Sequence, residues 1–324
     1  MDNKITKKRL SNFLSYEWIT IIVMVVVSII AWELLYGIMR VKVTPGQEFR
    51  VFYDIGLDSH RGDSFNDYLS QRGTFSYDVL EFESEGIVSA YEVLDIRLSA
   101  QQGDIIFTNK VEKEEEFIRA KHVIDRYDVY CLTDLLTDAQ NYLRSFLHDG
   151  VTEEGAEFNF ENLSKQKIEA GFSKRMKKDN RVRKSKDYNA YLQKEYDRIE
   201  KLCKDVADYK YILEKGPAEL FYRYTRYEQL VKEAEAENSR YVDDFKELYQ
   251  AEIDEGRENY IYGINMEALK GGEIDASTYV SMMGEATAKD TVLVVFDMQE
   301  YQPDLQYETV SFIVENVRLF SDIL

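Results

Sequence analysis

The sequence predicts an α/β protein: one mostly parallel sheet lobe carrying a large helical insertion, preceded by a single N-terminal transmembrane helix. Three observations predict it. A 22-residue apolar run lies near the start, at Trp18–Met39. Strand-like and helix-like segments alternate between residues 48 and 150, which implies right-handed crossovers and parallel strands. From about residue 162 to 255 strand signals vanish and apolar residues recur at helical spacing, before a last strand-like run at Thr291–Met298.

The apolar run "WITIIVMVVVSIIAWELLYGIM" spans roughly 33 Å as a helix, about one bilayer core. Its single charge is Glu33, near the distal end, and Trp18, Trp32 and Tyr36 are candidate interfacial anchors. Lys4, Lys7, Lys8 and Arg9 precede it, so the positive-inside rule places residues 1–17 in the cytoplasm as a basic tail and everything after about residue 43 outside. No short apolar region precedes a small-x-small cleavage site, and no cysteine follows to accept a lipid, which favours a retained anchor at the cell membrane.

Beyond the anchor, "EFRVFYDIGL" (48–57) is a β-rich run ending in a glycine turn. "SFNDYLSQRG" predicts a short helix with Ser64 as N-cap and Gly73 as stop, and "TFSYDVLEFE" alternates as a second strand. "IVSAYEVLDIRLSAQQ" has helical apolar spacing, with Gly103 as stop, and runs into the short buried strand "DIIFT". "VEKEEEFIRAKHVI" predicts a charged surface helix, "YDVYCL" a strand or an extended link, and "TDLLTDAQNYLRSFL" a helix capped by Thr133 or Asp134. Two long antiparallel helices joined at Gly216-Pro217 follow, forming an arm over 185–255. A closing amphipathic helix covers "LQYETVSFIVENVRLFSDIL". The α/β lobe thus comprises 43–160 and 286–324, and the helical insertion 161–285.

Composition narrows the function. At 44% apolar and 31% charged, with three prolines and sixteen glycines, the chain is globular and built of long elements. Outside the first 42 residues it carries 35 basic and 57 acidic residues, a net of −22, which repels nucleic acid. Cys131 and Cys203 both fall in apolar-periodic segments, so two buried free thiols are preferred over a disulfide. No phosphate loop, dinucleotide glycine fingerprint, paired-histidine helix or nucleophile motif occurs, so no cofactor, metal or catalytic activity is expected.

Three passages carry a family resemblance. "IRLSAQQGDIIF", "LTDLLTDAQNYL" and "VSFIVENVRLFS" resemble, in that order, a helix-Gly-Asp-strand passage, the helix that follows it, and the closing helix of bacterial extracellular solute-binding proteins of the type 2 periplasmic-binding fold. The resemblance implies a transport-associated binding module. It departs from the family in lacking a second α/β lobe and in being anchored by a helix rather than a lipid.

Two groups of site candidates result. Asp54, Asp58, Ser59, His60 and Arg61 follow the first strand, and Thr108 and Asn109 end the "DIIFT" strand. Open α/β sheets bind ligands at such strand ends, and a solvated turn is the alternative. Lys174, Arg175, Lys177, Lys178, Arg181 and Arg183 form a basic cluster suited to anionic lipid or envelope polymer, the alternative being neutralisation by nearby acids. The expected function is a membrane-anchored, non-catalytic extracytoplasmic binding module. The alternative is an interaction protein whose helical arm docks a membrane or envelope partner.

Overall fold

In the computed structural model, described over residues 7–39, 47–54, 67–87, 91–109, 123–149, 159–177, 182, 187–215, 220–276, 288, 291–297 and 307–324, the chain forms two units, Met1–Lys42 and Val43–Leu324. The first unit holds helix α1 (Lys7–Met39). Its stretch Trp18–Tyr36 has mean hydropathy 2.4 and is entirely unburied, as a candidate span should be.

The second unit is built on strands β1 (Glu48–Asp54), β2 (Glu81–Gly86), β3 (Ile105–Asn109), β4 (Leu220–Tyr222), β5 (Ile261–Asn265) and β6 (Thr291–Val295), in the order β2-β1-β3-β6-β5-β4. β1 pairs in parallel with both β2 and β3, whereas the β3–β6, β6–β5 and β5–β4 pairings are antiparallel. The sheet is therefore mixed, which corrects the expectation of a mostly parallel one. The helices are α2 (Tyr91–Ser99), α3 (Val123–Arg126), α4 (Leu132–Arg144), α5 (Lys165–Met176), α6 (Tyr188–Lys215), α7 (Arg223–Glu237), α8 (Val242–Asp254) and α9 (Glu308–Phe320).

Alternation sends each strand's side chains to opposite faces. Phe49, Val51, Tyr53, Ile105, Phe107, Ile264, Leu293 and Val295 enter one apolar cluster, with α4, α6 and α9. Phe52, Ile106, Tyr262, Val292 and Val294 enter a second, with Leu94 of α2, Ile124 and Cys131. Both faces are covered, so β3 and β6 read as near-continuous apolar runs. In α9 nearly every residue is buried, and Phe312 meets the rings of Phe49, Phe75 and Phe82.

The helical insertion differs from expectation. α6 is a single long helix, and Ile199, Leu202, Cys203, Val206, Tyr209 and Ile212 place it inside the first cluster. The chain then enters the sheet as β4 and leaves it as α7, so no second long helix follows Gly216-Pro217; those two residues lie outside the described set. α7 and α8 form the antiparallel hairpin instead, reversing through Asn238 in the left-handed region (φ 53°) and sharing a small apolar set around Ala234 and Phe245. Because β4 and β5 stand in the sheet, residues 161–285 are not an insertion outside it.

Smaller differences have local causes. Residues 74–80 form turns rather than a strand: Phe75 lies against Phe49, with ring centroids 4.6 Å apart, and pairing begins only at Glu81. "YDVYCL" is an extended link with one bridge, Val129 to Phe296. Cys131 is the N-cap of α4, with no side-chain cap, in place of Thr133 or Asp134. α2 ends at Ser99, and Gln101 takes the left-handed turn (φ 63°); Gly103 is required by space, since a Cβ there would sit 2.7 Å from Phe52 and 2.8 Å from Leu98. The expected charged helix lies mostly outside the described residues, with α3 at its distal end.

Gly103 delivers Asp104 beneath the start of β1, where the Arg50 backbone N–H donates to Asp104 Oδ2 at 2.8 Å. Burial pushes this carboxyl up to about 7 from 3.8, against the pull of the Arg50 N–H and with a further push from Glu48. A carboxyl raised in the folded state contributes stability that is full below its unfolded value and is lost as pH rises through its folded one. The residue as a whole is only half-buried, so solvent screening trims the linkage to about 2 kcal/mol. Asp104→Asn keeps the acceptor and removes the charge. Its urea midpoint should rise relative to wild type between about pH 4 and pH 8; a constant difference across that window would sink the assignment.

Candidate functional site

The site candidates at the carboxyl ends of β1 and β3 are set by topology. The link from β1 to β2 puts Leu69 into the first cluster, and the link from β2 to β3 puts Leu94 of α2 into the second. The chain thus leaves β1 over one face and returns to its other side over the opposite face. In an open α/β sheet this is the switch point, where a crevice opens beyond the carboxyl ends of the two strands.

Asp54 and Thr108 stand side by side there. They are register partners, and Thr108 Oγ1 donates to Asp54 Oδ2 at 3.3 Å. Thr108 is buried, while Asp54 and Asn109 are half-buried; Asn109 pairs with Thr291 of β6. Asp54, Thr108 and Asn109 are therefore brought together. Asp58, Ser59, His60 and Arg61 lie outside the described residues.

The register extends the row. Asp54 pairs with Thr108, Thr108 with Val292, and Val292 with Asn265, so these four residues cross β1, β3, β6 and β5 on the α2 face. At about 4.8 Å per strand the row spans roughly 14 Å. Asn265 is 8% exposed, and its Oδ1 is buried without a hydrogen-bond partner. Sequence reasoning missed Asn265 because β5 was not recognised as a strand. The acceptor set at this edge is a carboxylate, a hydroxyl and an amide carbonyl, all able to accept from N–H or O–H groups of a ligand.

The basic cluster is not a surface patch throughout. Arg175 points inward and donates through Nη2 to Glu195 at 2.7 Å and to the Tyr77 hydroxyl at 3.2 Å, and it pairs with Asp78 at 3.0 Å. Arg198 closes on the same Glu195 through Nε (3.0 Å) and Nη2 (2.9 Å), and donates to the Tyr142 hydroxyl at 2.6 Å. Burial pushes the Glu195 carboxyl up, and the two guanidiniums outweigh it, so the net shift is downward. Burial and the neighbouring Glu195 and Asp78 raise the Tyr77 phenol far above its ordinary value. This is a structural network, though Arg175 Nε is buried without a hydrogen-bond partner, and it removes Arg175 from the anion-contact candidates. Lys174 and Lys177 are exposed; Lys178, Arg181 and Arg183 lie outside the described residues.

Cys131 and Cys203 are free and buried, on opposite faces of the sheet. Burial pushes the Cys203 thiol up to about 12 and raises Cys131 as well, away from thiolate reactivity. Among the described residues no group of three or more His, Cys, Asp and Glu is placed to hold a metal ion. No protein-family model, curated protein or solved structure matches the chain.

Proposed function

We propose that this chain is a membrane-anchored binding module, held by α1 with its N-terminus cytoplasmic and its large unit outside the cell. It takes a small polar solute at the carboxyl edge of β1 and β3 and performs no catalysis. The observation that carries the reading is the Asp54–Thr108 pair at the switch point of the sheet. Its net charge of −19 adds a long-range attraction for cationic solutes. The module resembles transporter solute-binding proteins in the passages quoted above. Docking through a helical arm draws less support: among the described residues of 185–255, Tyr211 is the single exposed large hydrophobic side chain, so no apolar stripe stands out there.

The test is melting of the full-length protein in detergent against amino acids, diamines, sugars and small carboxylates. A true ligand at about 100 times its dissociation constant adds about 2.7 kcal/mol of stability. At least one class should raise the wild-type melting temperature, and Asp54→Asn should weaken its binding about tenfold or more. No stabilising class, or one acting equally on Asp54→Asn, would sink this reading.

A further inference from the structure

We propose that α1 pairs within the bilayer with a second transmembrane helix that sets an arginine or lysine opposite Glu33; this rests on the anchor reading of α1. Glu33 is the sole charged residue between Trp18 and Met39. It stands fifteen residues beyond Trp18 and six before Met39, hence roughly 22 Å and 9 Å from the two ends of the apolar run. Helical Cα–Cβ bonds tilt toward the helix N-terminus. With that end cytoplasmic, the Glu33 side chain is directed toward the bilayer centre and away from the nearer, outer interface. Lysine and arginine escape such a position by snorkelling on long stems, whereas a glutamate has two methylenes and points the wrong way.

α1 itself offers no partner among its described residues. The neighbours of Glu33 on its helix face are Val26, Ile29, Ile30 and Tyr36, all exposed. An ionisable group within a span faces another charged group or a water-filled cavity. A lone helix encloses no cavity, and the nearest basic residues of the chain, Arg40 and Lys42, stand beyond the apolar run, seven and nine positions from Glu33, so a complement at its own depth comes from another helix. A second copy would bring a second carboxyl to the same depth, where two ionised groups repel and two protonated ones give up the charge altogether, whereas a cationic span of a different protein compensates it, and that is the occupant. Val26, Ile29 and Ile30 then supply the apolar surface flanking the ion pair.

The experiment uses the full-length chain, donor-labelled on its N-terminal side, in phosphatidylcholine vesicles. The probes are synthetic Leu-Ala transmembrane peptides bearing an acceptor and either a single arginine at the depth of Glu33 or a leucine there. Energy transfer should report at least tenfold tighter association with the arginine peptide, and Glu33→Leu should abolish that preference. Equal association with both peptides, or a preference that survives in Glu33→Leu, overturns the proposal. Retention of wild type and Glu33→Leu in carbonate-washed vesicles is scored in parallel. Loss of both from the vesicles overturns the anchor reading and the pairing with it, whereas retention without arginine preference overturns the pairing alone.

Discussion

Replacing residues 185–255 with a short Gly-Ser linker is expected to abolish the folded body, whereas replacing only 228–250 leaves it intact. The longer excision removes α6, and with it Ile199, Leu202, Cys203, Val206, Tyr209 and Ile212 from the main apolar cluster. It also removes β4, and the Tyr209 hydroxyl that donates to the Leu132 carbonyl at 3.1 Å. At roughly 1.5–3 kcal/mol for each large apolar side chain, the loss equals or exceeds the 5–15 kcal/mol by which a typical domain is stable. The shorter excision takes the outer part of the α7–α8 hairpin, whose apolar contacts are Leu230, Val231, Ala234, Tyr241, Val242, Phe245 and Leu248 with one another. It leaves Tyr227 and Glu252, which are buried. Urea unfolding followed by circular dichroism reads the outcome. A cooperative transition in the long deletion, or none in the short one, would show that this division of the region is wrong.

Glu195→Leu should destabilise the protein by about 3–5 kcal/mol, because it removes the carboxylate that two buried guanidiniums share, taking both bonds to it from Arg198 and leaving Arg175 with Asp78. The side chains of Glu195 and Arg198 are 2% and 3% exposed, so solvent does little to compensate. Adding Arg198→Met should recover part of the loss, since one stranded cation is replaced by an apolar side chain while Arg175 keeps Asp78. The same network sets an acid limit. The folded Glu195 carboxyl lies below its unfolded value, so its contribution is present above the unfolded pKa and is lost as pH falls through the folded one. Denaturant titrations of wild type and both variants separate these effects. A Glu195→Leu loss under about 1 kcal/mol would mean the network is loose and hydrated.

The parts of the fold legible in the sequence are those where one periodicity dominates. β1, β3 and β6 are runs of buried apolar residues, and α4, α6 and α9 carry clean helical spacing. β4 was hidden because Leu220, Phe221 and Tyr222 adjoin "RYTRYEQL" and continue its helical spacing. β5 was hidden because Gly263 interrupts it. That glycine is there for space, since a Cβ would lie 2.6 Å from the Leu293 carbonyl oxygen of β6. β2 was displaced: alternation marked a strand over 74–83, whereas pairing runs over Glu81–Gly86, where Arg50 donates to Glu85 at 2.8 Å and pairs with Glu83 across the ladder. The candidate site was half legible. Strand-end position marked Asp54, Thr108 and Asn109, but Asn265 joins them only through antiparallel pairings that no local pattern encodes. Arg175 was misplaced because a basic run shows charge and not direction.

The central position of β6 has a consequence for how the chain acquires its shape. β6 joins β3, some 190 positions earlier at the Ile105–Val295 pair, to β5, and among the described strands it alone pairs with both the β2-β1-β3 trio and the β5-β4 pair. Until residues 291–295 are available, the two groups share no hydrogen bond and each presents a bare edge, at β3 and at β5. Loop closure over that separation must be met before its contacts repay it, which makes assembly slow and dominated by non-local pairing. For a chain made from its N-terminus onward, β6 emerges after the five other strands of the sheet. The sheet therefore stays open until residues 291–295 have been made.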